Sequence, residues 1–152
     1  MIRFRFLPLA AAALTLGLAP AVANEQAIEA RQGQFKLFGV HLGQLVPMAR
    51  GEVEYDAEAA STAASNLAAV ASQSQEGYLW VEGTDTMSVD GTRALPDIWD
   101  NMDDFAQKYA DLQTATVALR EAAGTDLAAL QGALGAVGGA CSACHDVYRE
   151  PR

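Results

Sequence analysis

The chain has 152 residues, 19 acidic against 10 basic, a formal charge of −9 and only two cysteines. One chain of this length makes one domain. Its acidity excludes nucleic acid and anionic lipid as natural partners, so neither a nucleic-acid nor a membrane-surface role is expected.

The N-terminus reads as a leader. "MIRFRF" carries Arg3 and Arg5 and no acid, "LPLAAAALTLGLA" is an apolar run, and Ala21-Val22-Ala23 is a small-x-small cleavage pattern. The run falls short of the roughly 20 apolar residues that a membrane anchor needs. The expectation is a secretory signal over 1–23, cut between Ala23 and Asn24, and a single exported domain over 24–152. Losing Arg3 and Arg5 takes the charge from −9 to −11. In an oxidising compartment two thiols form a disulfide unless they are committed to other chemistry.

Four helical segments follow by period, with no convincing strand. The first has apolar positions at Ile28, Phe35, Phe38, Leu42, Leu45 and Ala49, with Arg31 on the same stripe. Pro47 should kink or end it, with Gly51 closing it. The second opens at Asp56, an N-cap, and runs to about Gln75, with Ala60, Ala64, Leu67 and Ala71 on its inner face. A long connection, Glu76 to Leu95, contains Gly77, Gly83, Gly91, Tyr78 and Trp80. The third opens at Pro96-Asp97, with a seam of Ile98, Met102, Phe105, Tyr109, Leu112, Thr116 and Leu119. The fourth starts at Thr125-Asp126, with a seam of Leu127, Leu130, Leu134, Val137, Cys141, Cys144 and Tyr148. Heptad-like seams in four helices give an all-α fold, an antiparallel four-helix bundle.

The chemistry concentrates in "CSACHDVYREPR". Cys141, Cys144 and His145 fall within about 100° of arc on one helix face. Zinc wants four ligands, and His41 is the only further His or Cys. Thiol exchange favours a helix N-terminus, whereas this pair sits near a C-terminus, where the dipole opposes a thiolate. A disulfide three residues apart in a helix is strained and closes almost no loop. Cys-x-x-Cys-His is the attachment signature of a c-type haem: two thioethers from Cys141 and Cys144, with His145 as axial ligand. One covalent haem c is the expected cofactor. The glycines of "QGALGAVGGACSACH" each cost a helix about 1 kcal/mol relative to alanine, and are expected to make room for a macrocycle or a close neighbour. No acid–base pair aims at an iron-bound substrate, so enzymatic activity is not expected.

The chain resembles the cytochromes c prime, bacterial monohaem bundle cytochromes, over residues 25–150. The resemblance rests on "EARQGQFK", "YDAEAA", "PDIWDNMDDF" and "GACSACHDVYRE", and on a haem motif near the C-terminus. It implies a periplasmic protein with a five-coordinate, largely high-spin haem held by His145 alone. It further implies Arg31, with Gln32 beside it, near a haem propionate, and Phe35 over the open iron face. Thr92 and Arg93 correspond to a stretch near the haem edge, and Arg149 to an arginine on the proximal side. Relatives pair as homodimers through their first two helices, and the alanines of the second helix, Ala57, Ala59, Ala60, Ala63, Ala64, Ala68 and Ala71, would allow it. The resemblance implies binding of nitric oxide and carbon monoxide, and a link to nitric oxide resistance and to electron transfer with an unidentified redox partner. The alternative is a simple electron carrier with a six-coordinate haem. His41 lies about 240° around the helix from Phe35, facing away as a surface histidine, and Met48 is rejected as a sixth ligand. An apolar Phe35 with no hydrogen-bond donor should leave nitric oxide bound, carbon monoxide weak and dioxygen poorly held.

Overall fold

The computed structural model describes residues 19–151, with side chains from Asn24 onward. Its helices are α1 (Ala19–Ala49), α2 (Ala57–Ala71), α3 (Asp97–Asp100), α4 (Met102–Ala122) and α5 (Leu127–Tyr148). Of the expected leader, residues 1–18 lie outside the described residues, and α1 runs across the expected cut between Ala23 and Asn24.

The four long helices form a ring, α1 beside α2, α2 beside α4, α4 beside α5 and α5 beside α1. Hydrogen bonds between helix ends fix the directions. The Tyr55 hydroxyl donates to Ala123 O at 2.8 Å, and the Gln131 amide to Ala49 O at 2.7 Å, tying the start of α2 to the end of α4 and the start of α5 to the end of α1. At the other end, Gln34 donates to Val70 O and Gln113 to Ala71 O. Every neighbouring pair is therefore antiparallel, as the seams predict. Leu45, Leu67, Leu119, Leu130 and Val137 are almost wholly buried between them. Each such side chain contributes about 1.5–3 kcal/mol over an exposed one.

Asp56 caps α2 by accepting from the backbone N–H of Glu58 and Ala59, and Asp126 caps α5 by accepting from Ala129. Four sequence expectations differ from the structure. First, α1 passes through Pro47 to Ala49: in the last turn a missing N–H removes a single bond, and Gly51, at φ 71°, then reverses the chain. Second, α2 stops at Ala71, with Ser72 as its C-cap, rather than near Gln75. Third, the third helix is broken. Asn101 leaves the helical region (φ −134°, ψ 44°) while its side-chain amide donates to Asp97 O, the local competition that disfavours asparagine inside helices. The break rotates Met102 off the seam, where it is 38% exposed.

The fourth difference concerns small residues. Gly132, Gly135, Gly138 and Gly139 all face solvent, and a Cβ on any of them would meet nothing within 4 Å. They make no room inside the bundle. Conversely, Ala60, Ala63, Ala64, Ala68 and Ala71 are buried in the chain's own core, leaving only Ala57 and Ala59 of the expected alanine surface exposed.

The connection from α2 to α3 is an ordered loop with Thr84 and Asp85 buried. It is stitched to the end of α5: Ala94 and Arg149 form an antiparallel bridge, Leu95 N–H donates to Tyr148 O at 3.0 Å, and Glu150 N–H donates to Arg93 O at 2.9 Å. This closes the end of the bundle where α2 and α5 finish and α4 begins.

Candidate functional site: a cleft between α1, α4 and α5

A cleft of about 600 Å³ opens at that end, within the roughly 300–1,000 Å³ usual for cofactor sites. All nine residues singled out from the sequence border it. Cys141, Cys144, His145 and Arg149 come from α5 and its C-cap, Arg31, Gln32 and Phe35 from α1, and Thr92 and Arg93 from the stitched loop. Its floor is apolar, with Phe38, Leu42, Ile98, Phe105 and Leu112.

Cys141 and Cys144 are half-buried free thiols. Burial pushes both up in pKa, Cys144 to about 11, so they are thiols at neutral pH rather than the thiolates that disulfide exchange requires. The His145 imidazole is shifted down, first by burial and then by Arg149 and Arg93, which favours its neutral, metal-ligating form. His41 lies elsewhere, half-buried in a recess with Gln44, Asp56 and Asn66 between α1 and α2. Met48 is buried in the main core and does not border the cleft.

Arg31 is the most unusual side chain. It is 3% exposed, yet no carboxylate pairs with it. Its guanidinium donates to Thr84 Oγ1 at 2.8 Å and to Thr84 O at 3.0 Å, and lies 4.6 Å over the Trp80 ring. Burial lowers its pKa to about 10, so it stays charged at neutral pH. A buried, unpaired cation is costly, and here it borders a cleft. Trp80 in turn packs on Phe105 at 4.5 Å, and Phe105 on Tyr148 at 5.5 Å.

The Phe35 ring stands 6.3 Å from the His145 ring, centroid to centroid, and 5.7 Å from Phe38. It is 38% exposed. Gln32 donates to Gly91 O at 2.6 Å, and Arg93 donates to Glu150 O. Tyr109 is buried beside them, its hydroxyl accepting from Gln34 at 3.0 Å, and burial raises its pKa to about 12. Sequence reasoning took Tyr109 as plain core and assigned no role to Trp80, Thr84, Lys36 or Lys108. The first three and Lys108 are placed by tertiary contacts that no local pattern encodes.

The donor set suits a planar, covalently held group: two protonated thiols and a neutral imidazole on one helix face, an apolar floor, and a buried cation without a counter-charge. Comparison with known proteins agrees. The profile of the family described as Cytochrome C' matches residues 26–149. The chain belongs to the cytochrome c' family. It is 44% identical to cytochrome c-554 of Cereibacter sphaeroides, over 94% of this chain and 97% of that one. It superposes on the solved cytochrome c' from Rhodobacter sphaeroides with a TM-score of 0.82 and 40% identity, covering 85% of this chain and 98% of that one. Variants of cytochrome c prime from Alcaligenes xylosoxidans, solved as a nitric oxide complex and with carbon monoxide bound, match with a TM-score of 0.73 at 32% identity, over about 84% of this chain and 97% of theirs. As a family member the chain carries one covalently attached c-type haem.

Proposed function

We propose that the protein is an exported, periplasmic haem protein that binds nitric oxide and carbon monoxide at an iron with one open face. Cys141 and Cys144 would hold the haem through thioethers, and His145 would be the only protein ligand. One observation carries this reading. Among the residues bordering the cleft, His145 is the only histidine and none is methionine, so no second imidazole or thioether is at hand. The six-coordinate carrier needs one.

The haem, when bound, supplies an iron that takes a diatomic ligand. The chain's own residues do the rest. Arg31, fixed by Thr84 and Trp80, offers a buried positive charge to a propionate. Phe35 restricts entry opposite His145 with an apolar ring. Gln32, Thr92 and Arg93 border one edge of the cleft, and Arg149 sits beside His145 on the proximal side. The gas complexes of the Alcaligenes protein support the ligand class. Protection against nitric oxide is the role this chemistry suits. The leader over 1–23 and the periplasmic location belong to the same reading, as does a homodimer through α1 and α2. With most of the α2 alanines buried, Leu37 and Val40, 46% and 58% exposed on the outer face of α1, are its natural contact.

The test is ligand titration of the reduced, haem-loaded protein. Nitric oxide and, more weakly, carbon monoxide should each change the Soret absorption in saturable fashion. A reduced protein indifferent to nitric oxide would exclude the proposal.

A further inference from the structure

The charge around the cleft is opposite to that of the chain. Acidic residues outnumber basic ones 19 to 10 overall. Around the cleft there are five cations, Arg31, Lys36, Arg93, Lys108 and Arg149, and no aspartate or glutamate. Of the five, only Lys108 has a carboxylate oxygen within 4 Å, that of Asp104 at 3.6 Å. A haem's two propionates would balance two of these charges and leave a surplus. Arg31 is buried, but Lys36 and Arg149 are exposed and Arg93 and Lys108 are half-exposed. They come from α1, the loop, α4 and the end of α5. The positive charge is therefore spread around the mouth rather than gathered at a point, which suits an opposing surface better than a single small ion.

We propose that the mouth of the cleft is a docking collar for the acidic face of a redox-partner protein, which exchanges electrons with the haem through this edge. The inference rests on the haem reading above. A chain of net −11 after leader removal would repel an acidic partner at long range. Within a Debye length, about 10 Å at 0.1 M salt, local charges outweigh the distant net charge. The collar thus selects the orientation in which the cleft faces the partner.

The experiment uses the reduced, haem-loaded protein and two small oxidants of opposite charge, ferricyanide and tris(phenanthroline)cobalt(III). Each takes one electron from the ferrous protein, leaving ferric protein and ferrocyanide or the cobalt(II) complex. The haem absorption is recorded first, so a failure of the haem reading is seen separately, before any kinetics. The collar predicts a ferricyanide rate constant that falls roughly tenfold between 10 mM and 300 mM salt, with no such fall for the cobalt complex. Lys36→Glu should slow ferricyanide at low salt at least threefold. Arg120→Glu, the same charge change on an exposed part of α4 beyond the cleft, should leave it nearly unchanged. A ferricyanide rate that rises with salt, as the net charge alone dictates, would overturn the collar. Equal effects of the two substitutions would overturn it as well.

Discussion

Phe35→Ala is the most discriminating substitution in the cleft. The ring is 38% exposed, so about 62% of it is buried. Full burial of a phenylalanine makes truncation to alanine cost roughly 3–5 kcal/mol; scaled to this burial, the cost is about 2–3 kcal/mol. That is less than complete burial would imply, and a domain of ordinary stability survives it. Removing the ring opposite His145 also removes the obstacle to an incoming ligand. Urea denaturation followed by circular dichroism reads the first effect, and carbon monoxide titration of the reduced protein the second. The variant should bind carbon monoxide at least tenfold more tightly, about 1.4 kcal/mol. A folded Phe35→Ala protein with unchanged carbon monoxide affinity would refute the idea that Phe35 guards the open face. Tyr109 qualifies the expectation of a wholly apolar pocket, but its hydroxyl is already engaged with Gln34, so weak dioxygen binding is still predicted.

Arg31→Met leaves Thr84 O without its donor and removes the cation over Trp80, and should cost about 1–3 kcal/mol in denaturant titration; Arg31→Lys, which keeps the charge, should hold the haem spectrum closer to wild type. Gly135→Ala and Gly138→Ala fall on the open face of α5 and should each stabilise by about 0.5–1 kcal/mol without altering the haem spectrum; thermal denaturation and absorption check both. Tyr109 has a folded pKa raised to about 12 against the usual 10, so the unfolded chain loses its proton first as pH rises. Its contribution is complete below pH 10 and fades between pH 10 and 12, and Tyr109→Phe should flatten the stability profile in that window.

The bundle was legible in the sequence because the seams are heptad-like and the caps are strong: Asp56 and Asp126 sit where their side chains accept the first free N–H groups. The haem motif was legible because its chemistry is local, three residues on one face of one helix. What escaped was set by partners distant in sequence. Asn101 looks like an ordinary helix position until its amide is seen on Asp97 O and Tyr148 is seen reaching Asp104. Glycine spacing in α5 gave no direction, and only the packed bundle shows that those positions face water. Thr84 holds Arg31 across 53 residues of chain, and the collar of cations draws one member from each of several segments.

The central claim is an iron held by His145 alone, and the absorption spectrum of the haem-loaded protein, oxidised and then reduced, tests it most directly. The account predicts high-spin spectra in both states, with a broad visible region and a reduced form lacking a sharp α band. A reduced protein with a sharp low-spin α band before any ligand is added would contradict it.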